Sequence, residues 1–312
     1  MSEETIINPR LPNQVMEVIV LGTSSGVPTK DRNQTGYLVS TQEYDILVDC
    51  GEGIQRQIKV KGITPSRIKK ILITHWHGDH TLGLIGLLQT FAFLGEGTTK
   101  LEIYGPKYTR KRIKTLMETY VFQGTLDLTI KECTPGLVYE DNNLEVHCAE
   151  MEHSTECLAY SIKQKDKRRV KLSFVNENKI PKGPLLGKLQ DGKSITFNGK
   201  KIFPNEATYV DVGKKLTIIT DTAICNDAIK IAKDSDLLIC EATFAEDLKE
   251  KAVLHKHMTT KDAAAIASRA NVKQLILSHF SQRYKDVKPL EEEAKEIFSN
   301  TKAAYDFMRI SF

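Results

Sequence analysis

Residues 74–80 read THWHGDH, which places three of the chain's eight histidines and an aspartate in seven positions. Neutral imidazole and carboxylate are the ligands that zinc, manganese and iron accept most readily, so this spacing points to metal chemistry. A complete site needs donors from elsewhere. ILVDCG, EMEHST, IITDTA and LILSHF are each a β-type run ending near an aspartate or histidine: Asp49, His153, Asp221 and His279. Taken singly, a histidine at a strand end is as readily a satisfied surface residue. Taken together, these side chains reach the count a binuclear centre requires. Asp49 reads as the carboxylate that accepts from the second ring nitrogen of a ligating histidine and so orients it.

The elements that must position these residues can be read from periodicity. MEVIVLGT, GYLVST, YDILVDCG and KKILIT are short β-type runs, with a helix expected at GEGIQRQIKVKG between the last two. TLGLIGLLQTFAFL lacks a polar face and predicts a buried helix, whereas KYTRKRIKTLMETYVF predicts an amphipathic one. LTIKEC, LVYEDNNLEVHCAEM and ECLAYSIK continue as strands. After residue 203 a strand–helix pattern resumes through KLTIITD, DLLICEAT, the helix TTKDAAAIASRAN and the strand KQLILSHF. Thr259, with Asp262 three residues on, resembles a capping box at the start of that helix. Ligands delivered from strand ends by a rigid sheet are well fixed, as a metal site demands. Between residues 163 and 203 the texture changes to Gly, Pro and Lys with few large apolar residues, an excursion from the body.

Composition narrows the class. Hydrophobic and charged fractions of 40% and 27% are ordinary for a globular protein, and no apolar stretch approaches the roughly 18 residues of a membrane span. MSEETIINPR lacks the charged-then-apolar order of a secretory signal, which predicts a cytoplasmic location. Six cysteines without a C-x-x-C pair argue against a Cys-based zinc module and for buried thiols. Net charge is only +4, yet KQKDKRRVK at 163–171 holds six Lys/Arg and KYTRKRIK at 107–114 holds five. Such runs are either solvated faces or nucleic-acid contacts.

The motif HWHGDH with His153, Asp221 and His279 resembles the metallo-β-lactamase superfamily and, within it, the ribonuclease Z family of tRNA 3′-processing endonucleases. The resemblance spans nearly the whole chain. LGTSSGVPTKDRNQTGYL is similar to that family's opening, with the loop Pro28 to Asn33 fitting a P-x-K-x-R-N pattern. GLLQTFAFLG followed by IYGP, and CEATF at 240–244, are also similar to family segments. KIPKGPLLGKLQDG resembles the family's flexible tRNA-binding arm, with Gly183-Pro184 as its Gly-Pro pair; Lys182 stands where a second proline is often found.

The resemblance implies an α/β fold, a four-layer αβ/βα sandwich of two mixed sheets flanked by helices, as one catalytic domain over 1–312 with the arm inserted at 163–203. It implies two Zn²⁺ per subunit, with Mn²⁺ able to substitute. One ion would be held by His75, His77 and His153, the other by Asp79, His80 and His279, with Asp221 bridging and Asp79 also counted as catalytic. His257 would protonate the departing 3′ oxygen while Glu241 holds its imidazole; His255 is the competing acid, and His147 reads as a structural or surface histidine. Lys30, Arg32, Lys167, Arg168, Arg169, Gly183, Pro184 and Lys188 would contact RNA. The implied activity is hydrolysis of precursor tRNA after the discriminator base, leaving a tRNA 3′-OH and a trailer 5′-phosphate, by a homodimer. Two alternatives share the fold. A small-molecule phosphodiesterase or other metallo-β-lactamase-fold hydrolase would lack the arm, and a non-catalytic tRNA-binding protein would have no need of seven intact ligands.

Overall fold

In a computed structural model of the protein, residues 16–94, 99–121 and 124–312 are described. The segment MSEETIINPR, on which the expected location rests, lies outside them, as do Gly95 and Phe122.

Two seven-stranded mixed sheets lie face to face. The first runs Arg309–Ser311, Glu17–Gly22, Gly36–Ser40, Asp45–Val48, Ile68–Leu72, Thr99–Gly105, Leu126–Glu132; the second runs Thr301–Ala303, Leu275–Ser278, Leu237–Glu241, Lys215–Ile219, Cys157–Gln164, Leu144–Met151, Gly136–Glu140. Each is antiparallel over half its width and parallel over the other half. The inward-facing residues of alternate positions, such as Val18, Val20, Val48 and Leu72 against Val146, Tyr160, Ile218 and Ile239, form the central core. Outward-facing residues of the first sheet pack under the helices Ile54–Val60 and Leu84–Leu94. Those of the second pack under Asn226–Ala232 and Thr260–Arg269. The result is the expected four-layer sandwich.

Local rules account for several of these elements. Thr259 caps Thr260–Arg269 reciprocally: its hydroxyl accepts from Asp262 N–H, and the Asp262 carboxylate accepts from Thr259 N–H. All six cysteines are free, with Cys50, Cys148, Cys157 and Cys240 buried.

One expectation fails. The helix Leu84–Leu94 buries Leu84, Leu87, Leu88 and Phe91, but Phe93 is 68% and Leu94 59% exposed. A helix in an outer layer has only one face on the sheet, so an apolar run without polar interruption leaves its outer residues in solvent. The basic helix is also shorter than expected, Thr109–Thr119.

The excursion has structure of its own. Lys163 and Gln164 still belong to the strand Cys157–Gln164 and pair with the core sheet. The departure is closed at its base by an antiparallel ribbon of Lys167–Val170 with Thr208–Asp211. Beyond the ribbon, Val175, Ile180, Leu189, Ile195, Ile202 and Ala207 form a small hydrophobic cluster separate from the main core.

Candidate metal centre

The imidazoles and carboxylates converge at one edge of the sandwich. Asp49 follows the strand Asp45–Val48, His75 follows Ile68–Leu72, His153 follows Leu144–Met151, Asp221 follows Lys215–Ile219, and His279 follows Leu275–Ser278. These are strand carboxyl ends, where the sheet stops and side chains are free to meet across the sandwich. His77, Asp79 and His80 come from the turn and single-turn helix Gly78–Thr81 that follow His75.

Two groups result. His75, His77, His153 and Asp221 offer ligand atoms within 4.8 Å of one another, and so do Asp79, His80, Asp221 and His279. Asp221 belongs to both: Oδ2 lies 3.6 and 3.7 Å from His75 Nε2 and His153 Nε2, and Oδ1 lies 3.2 Å from both His80 Nε2 and His279 Nε2. One carboxylate thus turns one oxygen to each group.

The partners of the outer ring nitrogens decide whether the donor set suits a metal. His80 Nδ1 is 2.7 Å from Asp49 Oδ2 and His153 Nδ1 is 3.1 Å from the Lys256 carbonyl, and both partners can only accept. His75 Nδ1 faces the Thr74 hydroxyl, whose proton goes to Asp49; His279 Nδ1 faces the Thr243 hydroxyl, whose proton goes to Glu241. In all four the proton of the neutral ring is drawn to Nδ1, so the Nε2 lone pairs point inward. There, His75 Nε2 and His77 Nδ1 are 3.0 Å apart, His153 Nε2 and His77 Nδ1 3.2 Å, and His80 Nε2 and His279 Nε2 3.2 Å. Tetrahedral Zn²⁺ with Zn–N of about 2.05 Å sets its nitrogens about 3.3 Å apart, so this spacing fits. Buried Asp221 Oδ1 has no hydrogen-bond partner among the described residues, another sign of a place for a cation.

Electrostatics agree in direction. Burial, reinforced by His80, pushes the His75 imidazole well below its ordinary pKa, and burial lowers His153, leaving both neutral as ligands must be. Burial works against the charge of Asp221, yet His279, His80 and His75 hold its carboxyl well below the usual range. His80 goes the other way, because Asp221 and Asp49 outweigh its burial. The proton these carboxylates attract occupies the place a divalent cation would take.

Beside the second group lies a smaller one of Glu241, His257 and His279. His257 Nδ1 is 3.1 Å from Glu241 Oε1, and its Nε2 is 4.0 Å from Asp221 Oδ2. Burial lowers the His257 pKa, but Glu241, with Asp221 and Asp79 adding to it, pushes it up to about 9. Glu241 is itself fixed by Thr222 N–H and the Thr243 hydroxyl. His255 lies exposed at the end of the helix Lys249–His255, away from Glu241 although on the same cavity of about 510 Å³. His147 sits half-buried on its strand, 3.4 Å from Glu145.

The residues expected at RNA divide. Lys30, Gly183, Pro184 and Lys188 are exposed. Arg32 donates to the Ser281 carbonyl, Lys167 to Asn143, and Arg168 to Thr208, while Arg169 lies 3.7 Å from Asp211. Sequence reasoning assigned no role to Thr74, Thr243, the Lys256 carbonyl or the Gly26 N–H that donates to Asp79 Oδ2. Thr74 and Thr243 stood in segments already singled out, each next to or near a charged strand end; the two main-chain groups leave no trace in residue type.

The chain is 40% identical over 301 residues to the ribonuclease Z of Bacillus cereus (strain AH187), covering 93% of this chain and 97% of that one; the ribonuclease Z of Bacillus thuringiensis (strain Al Hakam) matches to the same extent. A family model described as Anti-Pycsar protein Apyc1 matches residues 16–303. The chain belongs to the ribonuclease Z family and to the family that model describes. Human tRNase Z, short form, superposes with a TM-score of 0.69 at 26% identity, over 94% of this chain and 98% of that one. The metallo-β-lactamase fold protein YhfI of Bacillus subtilis superposes with a TM-score of 0.70 at 21% identity, over 96% and 100%, and speaks for the fold. Membership in the ribonuclease Z family makes the chain a hydrolase, and its buried His/Asp cluster suits a divalent metal.

Proposed function

We propose that the protein is a zinc-dependent endoribonuclease that removes the 3′ trailer from precursor tRNA, cutting after the discriminator base. The observation that carries the reading is Asp221, one oxygen on each of two imidazole groups, with the His257–Glu241 pair at their rim. His75, His77 and His153 would hold one Zn²⁺ and Asp79, His80 and His279 the other, with Asp221 shared and Mn²⁺ able to substitute. Two such cations, when bound, would supply Lewis-acid neutralisation of a phosphodiester and lower the pKa of a nucleophilic water.

The chain's own groups do the rest. Asp49, Thr74, Thr243 and the Lys256 carbonyl hold the imidazoles in the tautomer that presents a lone pair. Glu241 keeps His257 charged at neutral pH, with its second proton on Nε2 facing the centre, where it can pass to the departing 3′ oxygen. Water rather than the RNA 2′ hydroxyl as nucleophile gives a tRNA 3′-OH and a trailer 5′-phosphate.

The excursion beyond residue 165 serves as the tRNA-binding arm in this reading. Its support is a set of exposed lysines, among them Lys179, Lys182, Lys188 and Lys193, on a body with its own small core. Recognition is by shape and phosphates, as suits A-form RNA. The protein acts as a cytoplasmic homodimer. Exposed apolar residues, Leu82 and Tyr120 on one cavity and Phe93 and Leu94 on another, offer surfaces where a partner subunit would seat. No helix among the described residues is long and apolar enough to cross a membrane.

A phosphodiesterase acting on small molecules is the competing reading, favoured by the fact that the metal centre alone does not select RNA. One experiment separates them: a labelled precursor tRNA and bis(p-nitrophenyl) phosphate are offered to the Zn²⁺-loaded chain with and without residues 167–211. Precursor cut after the discriminator base by the intact chain only, with the diester cut by both, is the expected result. An intact chain that cuts the diester but leaves the precursor whole selects the competing reading, and unchanged precursor cleavage after the deletion removes the arm's role.

A further inference from the structure

The mouth of the metal cavity carries two cations to which the mechanism above gives no task. Phe244, buried at 5% exposure, packs its ring edge-to-face against His257 at 6.1 Å. The Arg283 guanidinium lies 5.3 Å from the centroid of that ring and the Lys251 ammonium 6.0 Å, distances at which the ring's negative face holds a cation. Both heads are exposed and line the cavity of about 510 Å³. Among the described residues neither forms an ion pair, although Asp79 and Asp221 line the same cavity. Those carboxylates face the histidines instead.

The placement of Arg283 is built in. Its Nε donates to the Ser281 hydroxyl at 3.1 Å, and the carbonyl of the same serine accepts from Arg32 at 3.3 Å. Ser281 sits in a short parallel bridge, Phe280–Ser281 with Ser24–Ser25, which joins the loop carrying exposed Lys30 to the rim. A planar guanidinium anchored through one edge leaves its other N–H groups free for the bidentate geometry that phosphate oxygens accept.

We infer that Arg283 and Lys251, seated on Phe244, form a subsite for the phosphate immediately 5′ of the scissile one, the 5′-phosphate of the nucleoside whose 3′ oxygen departs. The side is set by His257, which touches Phe244 and stands where the leaving oxygen is protonated; to that extent the inference rests on the function proposed above. A substrate with a single phosphate has nothing to place here, whereas a polynucleotide always does. The subsite therefore distinguishes strands from small diesters within the cavity itself.

Two nucleotides isolate the added phosphate. Adenosine 3′-monophosphate places one phosphate at the centre, and adenosine 3′,5′-bisphosphate adds the one that reaches the rim. Calorimetric titration of the Zn²⁺-loaded full chain gives the ratio of their dissociation constants. The bisphosphate binds about 10–100-fold tighter in the native chain, as a charged hydrogen-bonded pair would give. Arg283→Ala brings the ratio toward one, and Lys251→Ala and Arg283→Lys leave it between. A native ratio near one, or a ratio kept in Arg283→Ala, overturns the inference. If Arg283 only supports Ser281 and hence His279, both nucleotides weaken together and the ratio survives. Precursor tRNA left uncut by a native chain that still shows the ratio would refute the tRNA reading and keep the subsite.

Discussion

The metal centre and the excursion beyond residue 165 solve opposite problems. At the centre four of the five imidazoles are held by a second group: Asp49 holds His80, Thr74 links His75 to Asp49, the Lys256 carbonyl holds His153, and Thr243 links His279 to Glu241. His75, His80, Asp49 and His279 are wholly buried. In the excursion the outer cations, such as Lys179, Lys182, Lys188 and Lys193, are exposed, and a small cluster of apolar residues keeps the element together. Chemistry on a phosphate needs fixed positions to a fraction of an ångström, whereas grasping a polyanion needs reach and charge. Damage to the first region should therefore cost turnover on any phosphodiester, and damage to the second should cost only large substrates.

The sharpest break in that comparison is Asp221→Ala. It removes an oxygen from each metal group and leaves buried imidazoles facing one another, so cleavage of both precursor tRNA and a small diester should vanish and bound zinc should fall. Two zinc ions per chain by elemental analysis, with near-native turnover, would defeat the assignment. His257→Ala should keep metal content and tRNA affinity and slow the chemical step by about 10²–10⁴-fold. The pH profile adds a sign: His257 is charged below its raised value of about 9, so activity needing its proton is lost as pH rises through that limb. Cations at the centre repel that charge and bring the limb to about 9 or lower. Glu241→Gln removes the chief raising influence and should move the limb down further. A loss seen in His255→Ala but not in His257→Ala would mean that the acid is the other histidine.

How much of this was legible beforehand depends on what each feature is made of. The converging donors were legible because His-x-His-x-Asp-His is chemistry written in residue types, and because Asp49, His153, Asp221 and His279 each follow an apolar run whose period marks a strand. The cap at Thr259 was legible for the same local reason. The tuning of the imidazoles was not: Lys256 acts through its carbonyl and Gly26 through its N–H, and any residue offers those. Nor was the core of the excursion, since Val175, Ile180, Leu189, Ile195 and Ile202 follow no period and meet only after the ribbon Lys167–Val170 with Thr208–Asp211 closes. The helix Leu84–Leu94 misled because its apolar outer residues reflect a surface, not burial.

Asp49→Ala sharpens the comparison from inside the centre. The carboxylate touches no substrate; it accepts from His80 Nδ1 at 2.7 Å and from the Thr74 N–H and hydroxyl. Its loss should lower metal affinity or activity by about 10–100-fold rather than abolish either. Asp49 also sits at φ 58°, a conformation alanine tolerates poorly and asparagine well, so Asp49→Asn should cost less than Asp49→Ala in thermal unfolding. Equal zinc titrations for native and Asp49→Ala chains would remove the orienting role.

The smallest effect tests the excursion against itself. Lys167, Arg168 and Arg169 form the densest basic run, yet their heads engage Asn143, Thr208 and Asp211 at the base of the ribbon. Lys179, Lys182, Lys188 and Lys193 lie further out and exposed. For a phosphate contact, the logarithm of the binding constant falls with the logarithm of salt by roughly 0.7–0.9 per neutralised charge. Replacing the four outer lysines with glutamine should therefore flatten the salt dependence of precursor tRNA binding by about 0.7–0.9 for each one that touches RNA. Replacing the basal three should change the slope by less than one such step, while lowering thermal stability slightly through lost packing and hydrogen bonds. If the basal three carry the larger slope, the RNA lies along the ribbon rather than across the tip. In that case the run of basic residues, not the exposure of the outer lysines, marks where the polyanion is held.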